Sequence, residues 1–150
     1  MLFIGLDPGF SGAWGMIDHN GKYWSCGDMI NDGKHLNHEE IWAEISQARD
    51  RQDCQVVIEA VHAMPGQGVS SSFKFGMAFG GAISIAQRLK CPWHLVTPHK
   101  WKKDMDLTWD KDKSLDMARQ TWPNAPLTRK KDNGRAEALL MAEWLRKSFN

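Results

Sequence analysis

No apolar run in this chain approaches the roughly 20 residues needed to cross a bilayer. The N-terminal apolar stretch, Leu2 to Leu6, is short and ends on an acid, unlike a signal peptide. A cytoplasmic location without membrane contact is therefore expected. Cysteine is scarce: Cys26, Cys54 and Cys91 are odd in number and form no C-x-x-C pair. This argues against a disulfide framework and a zinc knuckle, and the three are predicted to be reduced, half-buried thiols. Low-complexity segments are also missing, because the six prolines and thirteen glycines are scattered. Net charge is only +1, so the chain as a whole is not a polycation built for nucleic acid.

The charge is unevenly placed, however. Residues 25 to 59 carry eight acids against Lys34, Arg49 and Arg51, while residues 98 to 131 carry nine Lys or Arg against five Asp. A basic face in the C-terminal third is compatible with a nucleic-acid partner. With 150 residues, 42% hydrophobic and 25% charged, the chain reads as one domain with a full core.

Hydrophobic patterning predicts three strands first, over residues 2 to 6, 13 to 18 and 22 to 27, with an Asn20-Gly21 hairpin turn between the last two. An amphipathic helix follows from His38 to about Arg49, with Asn37 near its cap. Gln55 to Ile58 form a strand closed by Glu59, residues 62 to 72 a polar loop, and Phe73 to about Leu89 a long helix. On that helix Phe75, Phe79, Ile83 and Ala86 recur beside the bare backbone of Gly76, Gly80 and Gly81. Core packing and a dimer interface both fit this face. Trp93 to Val96 form a short strand, and Thr97-Pro98 an N-cap with proline at the first helical position. Helices are predicted over Lys111 to Thr121 and Gly134 to about Lys147. The fold class is α/β, a mixed sheet flanked by helices.

The chemistry lies in the acids. Asp7 ends an apolar strand and is followed at once by Pro8-Gly9-Phe10-Ser11-Gly12, and Glu59 ends a second such strand. A carboxylate at a buried strand tip needs a cation or dense hydrogen bonding. Asp132 and Glu137 add two acids at the start of the last helix. They converge on one site only if Asp132 precedes that helix. Four oxygen donors suit Mg²⁺ or Mn²⁺ better than zinc, and a pair of such ions suits in-line phosphate displacement. Any one of these acids alone reads more readily as a cap or an ion-pair partner than as a ligand.

Three segments then resemble the acidic motifs of the RuvC-type Holliday-junction resolvases: Ile4-Gly5-Leu6-Asp7-Pro8-Gly9, Val57-Ile58-Glu59, and Asp132 with Arg135-Ala136-Glu137-Ala138-Leu139. The Gln67 to Gly76 segment, and Val96-Thr97-Pro98 with Lys102 and Lys111-Asp112-Lys113-Ser114, are similar to the loop, dimer helix and basic stretch of phage-encoded members. The resemblance implies a ribonuclease H-like five-stranded mixed sheet. It also implies two Mg²⁺ held by Asp7, Glu59, Asp132 and Glu137, with Lys113 near the scissile phosphate. A homodimer would cut a four-way DNA junction by paired nicks leaving 5′-phosphate and 3′-hydroxyl ends, in a bacterial cytoplasm or a phage-infected cell. His62, Gln67, Ser70, Ser71, Lys74, Lys100, Lys102, Lys103, Lys111 and Lys113 would meet DNA.

The chain departs from the family in two places. Bacterial members carry a base-stacking aromatic shortly after the second acid, where this chain has His62. Their last pair of acids is one turn apart, a spacing that here falls on Gly134, and Glu137 stands in place of the commoner Asp. Trp14 and Trp144 are expected in the core, whereas Trp101 and Trp109, amid charges, either stack on bases or cover sheet edges. A junction-binding protein with a degenerate centre, a hybrid-cleaving ribonuclease H, and a sugar-kinase-like phosphotransferase are the alternatives. The last needs a second nucleotide-binding domain, for which 150 residues leave no room.

Overall fold

The structure, a computed structural model, describes residues 1–149. Its elements run β1 (Leu2–Asp7), β2 (Ala13–Asp18), β3 (Tyr23–Asp28), α1 (His38–Arg49), β4 (Cys54–Glu59), α2 (Val69–Arg88), β5 (Trp93–Val96), α3 (Pro98–Asp104), α4 (Lys111–Thr121) and α5 (Asn133–Ser148). A 3₁₀ turn at Lys130–Asp132 leads into α5. The strands form one sheet in the order β3-β2-β1-β4-β5. Its first three strands are antiparallel, and β1, β4 and β5 are parallel. This is the five-stranded mixed sheet expected.

Period-two alternation assigns the faces. Leu2, Ile4, Leu6, Val56 and Ile58 point to a core shared with Ile41 and Ile45 of α1 and Ala78, Ala82 and Ile85 of α2. Phe3, Ile17 and Val57 point the other way, to a second core with Trp101 of α3, Leu115 and Ala118 of α4, and Leu139, Leu140 and Met141 of α5. Gly5 and Gly15 lie beneath α5, where an added Cβ would strike the helix backbone at Ala138 and Leu139. Those two glycines let α5 lie directly on β1 and β2.

Local chemistry sets the boundaries. Gly21 adopts φ 79°, and Asp18 Oδ1 accepts from the amides of Asn20 (2.8 Å) and Lys22 (2.9 Å), which closes the predicted hairpin. Asn37 caps α1 by accepting from the Glu40 amide at 3.1 Å. Helix α2 starts at Val69, four residues before the predicted start, with Gly68 extended at its N-cap. Ser70 and Ser71 thus belong to the first turn of a helix rather than to a loop. The α2 glycines also divide: a Cβ on Gly81 would overlap the His38 ring, whereas Gly76 and Gly80 face open space.

One expectation is overturned outright. Cys54 and Cys91 are joined as a disulfide with their Cα atoms 5.7 Å apart, tying the start of β4 to the segment after α2. Only Cys26 is a free, half-buried thiol. The partners lie 37 residues apart in sequence and meet only because α2 returns the chain to the head of β5, so their spacing carries no signal. Trp14 is buried as expected, while Trp144 is only half-buried and donates its Nε1 to Asp104 Oδ2 at 2.8 Å.

Candidate active site

Parallel pairing brings the first two acids together. Leu6 of β1 stands opposite Ile58 of β4, so the next residues, Asp7 and Glu59, leave neighbouring strands at the same carboxyl edge. In open α/β sheets ligands bind at that edge. Because Gly5 and Gly15 admit α5 closely, its second turn carries Glu137 over the same edge. All three acids line one cleft of about 680 Å³, together with Lys102, Lys111 and Trp109.

Electrostatics mark these acids as a unit. Burial raises the Asp7 carboxyl well above the usual carboxylate value, and the charges of Glu59 and Glu137 push it the same way against Lys111 and Lys102. Burial raises Glu59 too; a hydrogen bond from Trp101 opposes this and the Glu137 charge reinforces it. Like charges held together in a partly dry cleft call for a cation.

Helix α3 supplies the counterweights from two adjacent residues. Thr97 caps it and Pro98 occupies its first turn. Trp101, fully buried, donates its Nε1 to Glu59 Oε2 at 2.7 Å. Lys102, also buried, places Nζ 2.5 Å from Glu137 Oε1, an oxygen to which the Ser114 hydroxyl also donates at 3.4 Å. The sequence reading places Lys102 in a basic, DNA-facing stretch and leaves Trp101 either to stack on bases or to cover a sheet edge; Trp101 is fully buried, while Lys102 is buried in its ion pair and lines the cleft. The only hint of their inward aim was a tryptophan and a lysine following a capped proline start.

Asp132 stands apart from the other three acids. It does precede α5, the condition for joining the cluster, yet it turns away from it. Its Oδ2 accepts from the Arg129 amide at 2.7 Å and its Oδ1 from the Arg129 guanidinium at 2.6 Å, with Arg135 3.9 Å off. Burial alone would raise this carboxyl, but the Arg129 hydrogen bonds and the two guanidinium charges hold it below the usual value. Arg135 and Arg129 also bind Asp28 at the end of β3, so Asp132 belongs to a network that pins the start of α5 to the sheet. The one-turn position, Gly134, is barred to any side chain: a Cβ there would stand 2.8 Å from the Ser11 carbonyl oxygen. Three acids, rather than four, therefore face the cleft.

The basic residues divide similarly. Lys111, at the start of α4, and Lys131 line the cleft, whereas Lys113 is exposed and does not. Lys111 is therefore the better placed of the two lysines read from that stretch. Lys100 pairs with Asp104 at 2.8 Å, and Lys103 is exposed. Lys74 lies 4.3 Å from the Phe10 ring centroid and donates to the Gly33 carbonyl at 3.3 Å. Gln67 donates to the Ser71 hydroxyl at 3.1 Å, and His62 and Ser70 are exposed without lining the cleft.

Among the described residues, no three carboxylate, imidazole or thiolate groups stand ready around one point to hold an ion. Lys102 instead engages Glu137, and Trp101 engages Glu59. The donor chemistry nonetheless fits a hard divalent cation. Asp7, Glu59 and Glu137 offer only oxygen, and the carboxyls of Asp7 and Glu59, raised first by burial and then by neighbouring acid charge, would be eased by such an ion.

No protein-family model matches the sequence, and no curated protein matches it either. Solved structures do match in fold. The Thermus thermophilus RuvC structure in complex with a Holliday junction substrate superposes with a TM-score of 0.71 at 18% identity, over 99% of this chain and 93% of that one. A second Thermus thermophilus RuvC structure gives 0.61 at 19% identity, over 99% and 97%. Nearly end to end, then, this chain is similar to RuvC structures and has their ribonuclease H-like fold.

Proposed function

We propose that the protein is a Mg²⁺-dependent, structure-selective DNA endonuclease that resolves four-way junctions. The observation that carries this reading is the meeting of Asp7, Glu59 and Glu137 at one sheet edge, rimmed by Lys111 and Lys131. The RuvC neighbour solved with a Holliday junction substrate supports the substrate class. Asp7, Glu59 and Glu137 would hold Mg²⁺, with Mn²⁺ as its substitute, and the metal would supply an activated water and stabilise the leaving oxygen.

The chain's own residues set the stage for that reaction. Trp101 fixes the orientation of Glu59, and Lys102 balances the charge of Glu137. Lys111 and Lys131 bring positive charge to the mouth, where a phosphodiester can dock against an otherwise repulsive acid cluster. Exposed Lys74, Lys103 and Lys113 extend the phosphate-binding surface. The apolar, open face of α2 would pair with a second copy, giving a homodimer with one site for each of two opposed strands, acting in the cytoplasm.

The withdrawal of Asp132 into the arginine network favours one alternative, a junction-binding protein with a degenerate centre. One assay separates the two. The purified protein is incubated with an end-labelled four-way DNA junction, with and without Mg²⁺, beside linear duplex and an Asp7→Asn control. Paired, metal-dependent nicks that Asp7→Asn abolishes are expected, with 5′-phosphate and 3′-hydroxyl ends. Binding without cutting indicates the degenerate centre, and cutting only the RNA strand of a hybrid indicates a ribonuclease H.

A further inference from the structure

The structure separates the two tryptophans that the sequence left together. Trp101 is fully buried, but Trp109, on the segment between α3 and α4, is 68% exposed. Trp24 is another exposed indole, yet its Nε1 is tied to the Ala48 carbonyl at 2.7 Å, away from the cleft. Trp109 instead lines the cleft that holds Asp7, Glu59 and Glu137. Its ring centroid lies 5.6 Å from Lys102 Nζ, the ammonium that holds Glu137. Cation–π attraction thus keeps a solvent-exposed indole at the acid cluster, where packing does not. Phe75 of α2, 45% exposed, lines the same cleft.

Trp109 and Phe75 together leave an apolar strip in the wall of the cleft that holds the acids, where a bound molecule can cover it. The chemistry around it selects the occupant. Lysines at the mouth favour a phosphate chain, and an apolar π-face beside them favours the base attached to that chain. We propose that Trp109 is the base-stacking residue of this site and receives a nucleobase unstacked next to the phosphodiester at the acid cluster. The inference rests on the reading of the site as a DNA nuclease. In that role Trp109 stands in for the aromatic that the sequence lacks at His62, which does not line the cleft. It also supplies structure selectivity: bases in a linear duplex are already stacked, whereas a branch point offers some that are not.

The test uses four-way junctions carrying 2-aminopurine at successive positions around the branch, bound by full-length protein in the Asp7→Asn background. Quenching of the 2-aminopurine at one or two positions next to the cut site is expected. Trp109→Ala should abolish the quench and weaken junction binding by about fivefold to a hundredfold, the range set by one base–aromatic stack. Trp109→Phe should keep most of both. In the Asp7-containing enzyme the loss from Trp109→Ala should fall on KM more than on kcat. Unchanged quench and affinity in Trp109→Ala, with junction cutting intact, overturns the role of Trp109 and leaves the nuclease reading standing. Failure of the unsubstituted protein to bind or cut any branched DNA overturns both.

Discussion

Lys102 Nζ stands 2.5 Å from Glu137 Oε1, with the two side chains 8% and 9% exposed. An ion pair this dry gives little net stability, but removing one partner strands the other charge at a cost of about 3–5 kcal/mol. Lys102→Met should therefore lower the unfolding free energy by about that amount, read from urea denaturation without metal. Mg²⁺ should restore more stability to Lys102→Met than it adds to the parent, because the ion takes over the neutralisation of Glu137. A loss below about 1 kcal/mol would mean that water already screens the pair.

Trp101 and Glu59 make a narrower prediction. The indole N–H favours the ionised carboxylate, so Trp101→Phe should raise the Glu59 pKa further. A hydrogen bond to a charged group contributes about 1.5–3 kcal/mol, so Mg²⁺ affinity should fall by about tenfold or more. Calorimetric titration at several pH values checks this, with the loss widening as pH falls. An affinity equal to the parent's at every pH would deny Trp101 a part in positioning Glu59.

The raised Asp7 carboxyl fixes the sign of a pH effect in the metal-free protein. In the unfolded chain an Asp titrates near about 3.9, and in the fold Asp7 titrates well above that. Below the unfolded value both states are protonated and no penalty exists; above the folded value both are ionised and the penalty is complete. Asp7→Asn should thus unfold at a higher temperature than the parent at pH 7, with the gap closing as pH falls. Saturating Mg²⁺ should reverse the order, since only the parent keeps the full acid set.

Much of this site could be read from the chain because it depends on strand ends. Asp7 and Glu59 each close an apolar run, and parallel pairing of such runs leaves two acids side by side whatever the rest of the fold does. The element order and the Asn20-Gly21 turn were legible for the same local reasons. What stayed hidden depended on side-chain direction and on distant partners. Asp132 met the positional requirement but lost its carboxylate to Arg129, three residues away. The inward aim of Trp101 and Lys102 depends on how α3 seats against the sheet, and the Cys54–Cys91 pair on where α2 ends. None of these has a sequence period.

The Arg129–Asp132 contact sets Asp132 apart from the three acids that line the cleft. Asp132→Asn should cost stability, because a carboxyl held low contributes stability above its unfolded pKa and loses it as pH falls through the folded value. It should leave Mg²⁺ affinity unchanged, whereas Glu137→Gln should abolish tight Mg²⁺ binding. Unfolding curves from pH 7 downward, paired with metal titrations, check both halves. Loss of metal binding in Asp132→Asn at intact stability would return this acid to the ligand set.

Helix α2 tests the dimer. Val69, Phe73 and Met77 are exposed, and Gly76 and Gly80 share their face at spacings of three and four residues, with nothing within 4 Å of a Cβ on either glycine. Within one protomer Gly80→Glu therefore meets no obstacle, and Glu is the better helix former by roughly 0.5–1 kcal/mol. Between two copies packed on this face the same change buries an unpaired charge. Light scattering should give the parent twice the 17.1 kDa chain mass and Gly80→Glu a single chain mass, with the melting of the protomer unimpaired. If the proposed dimer couples the cuts, the variant should nick one strand of a four-way junction without the paired second cut. A parent that runs as a single chain while still cutting in pairs would remove α2 as the interface and move the coupling onto the DNA.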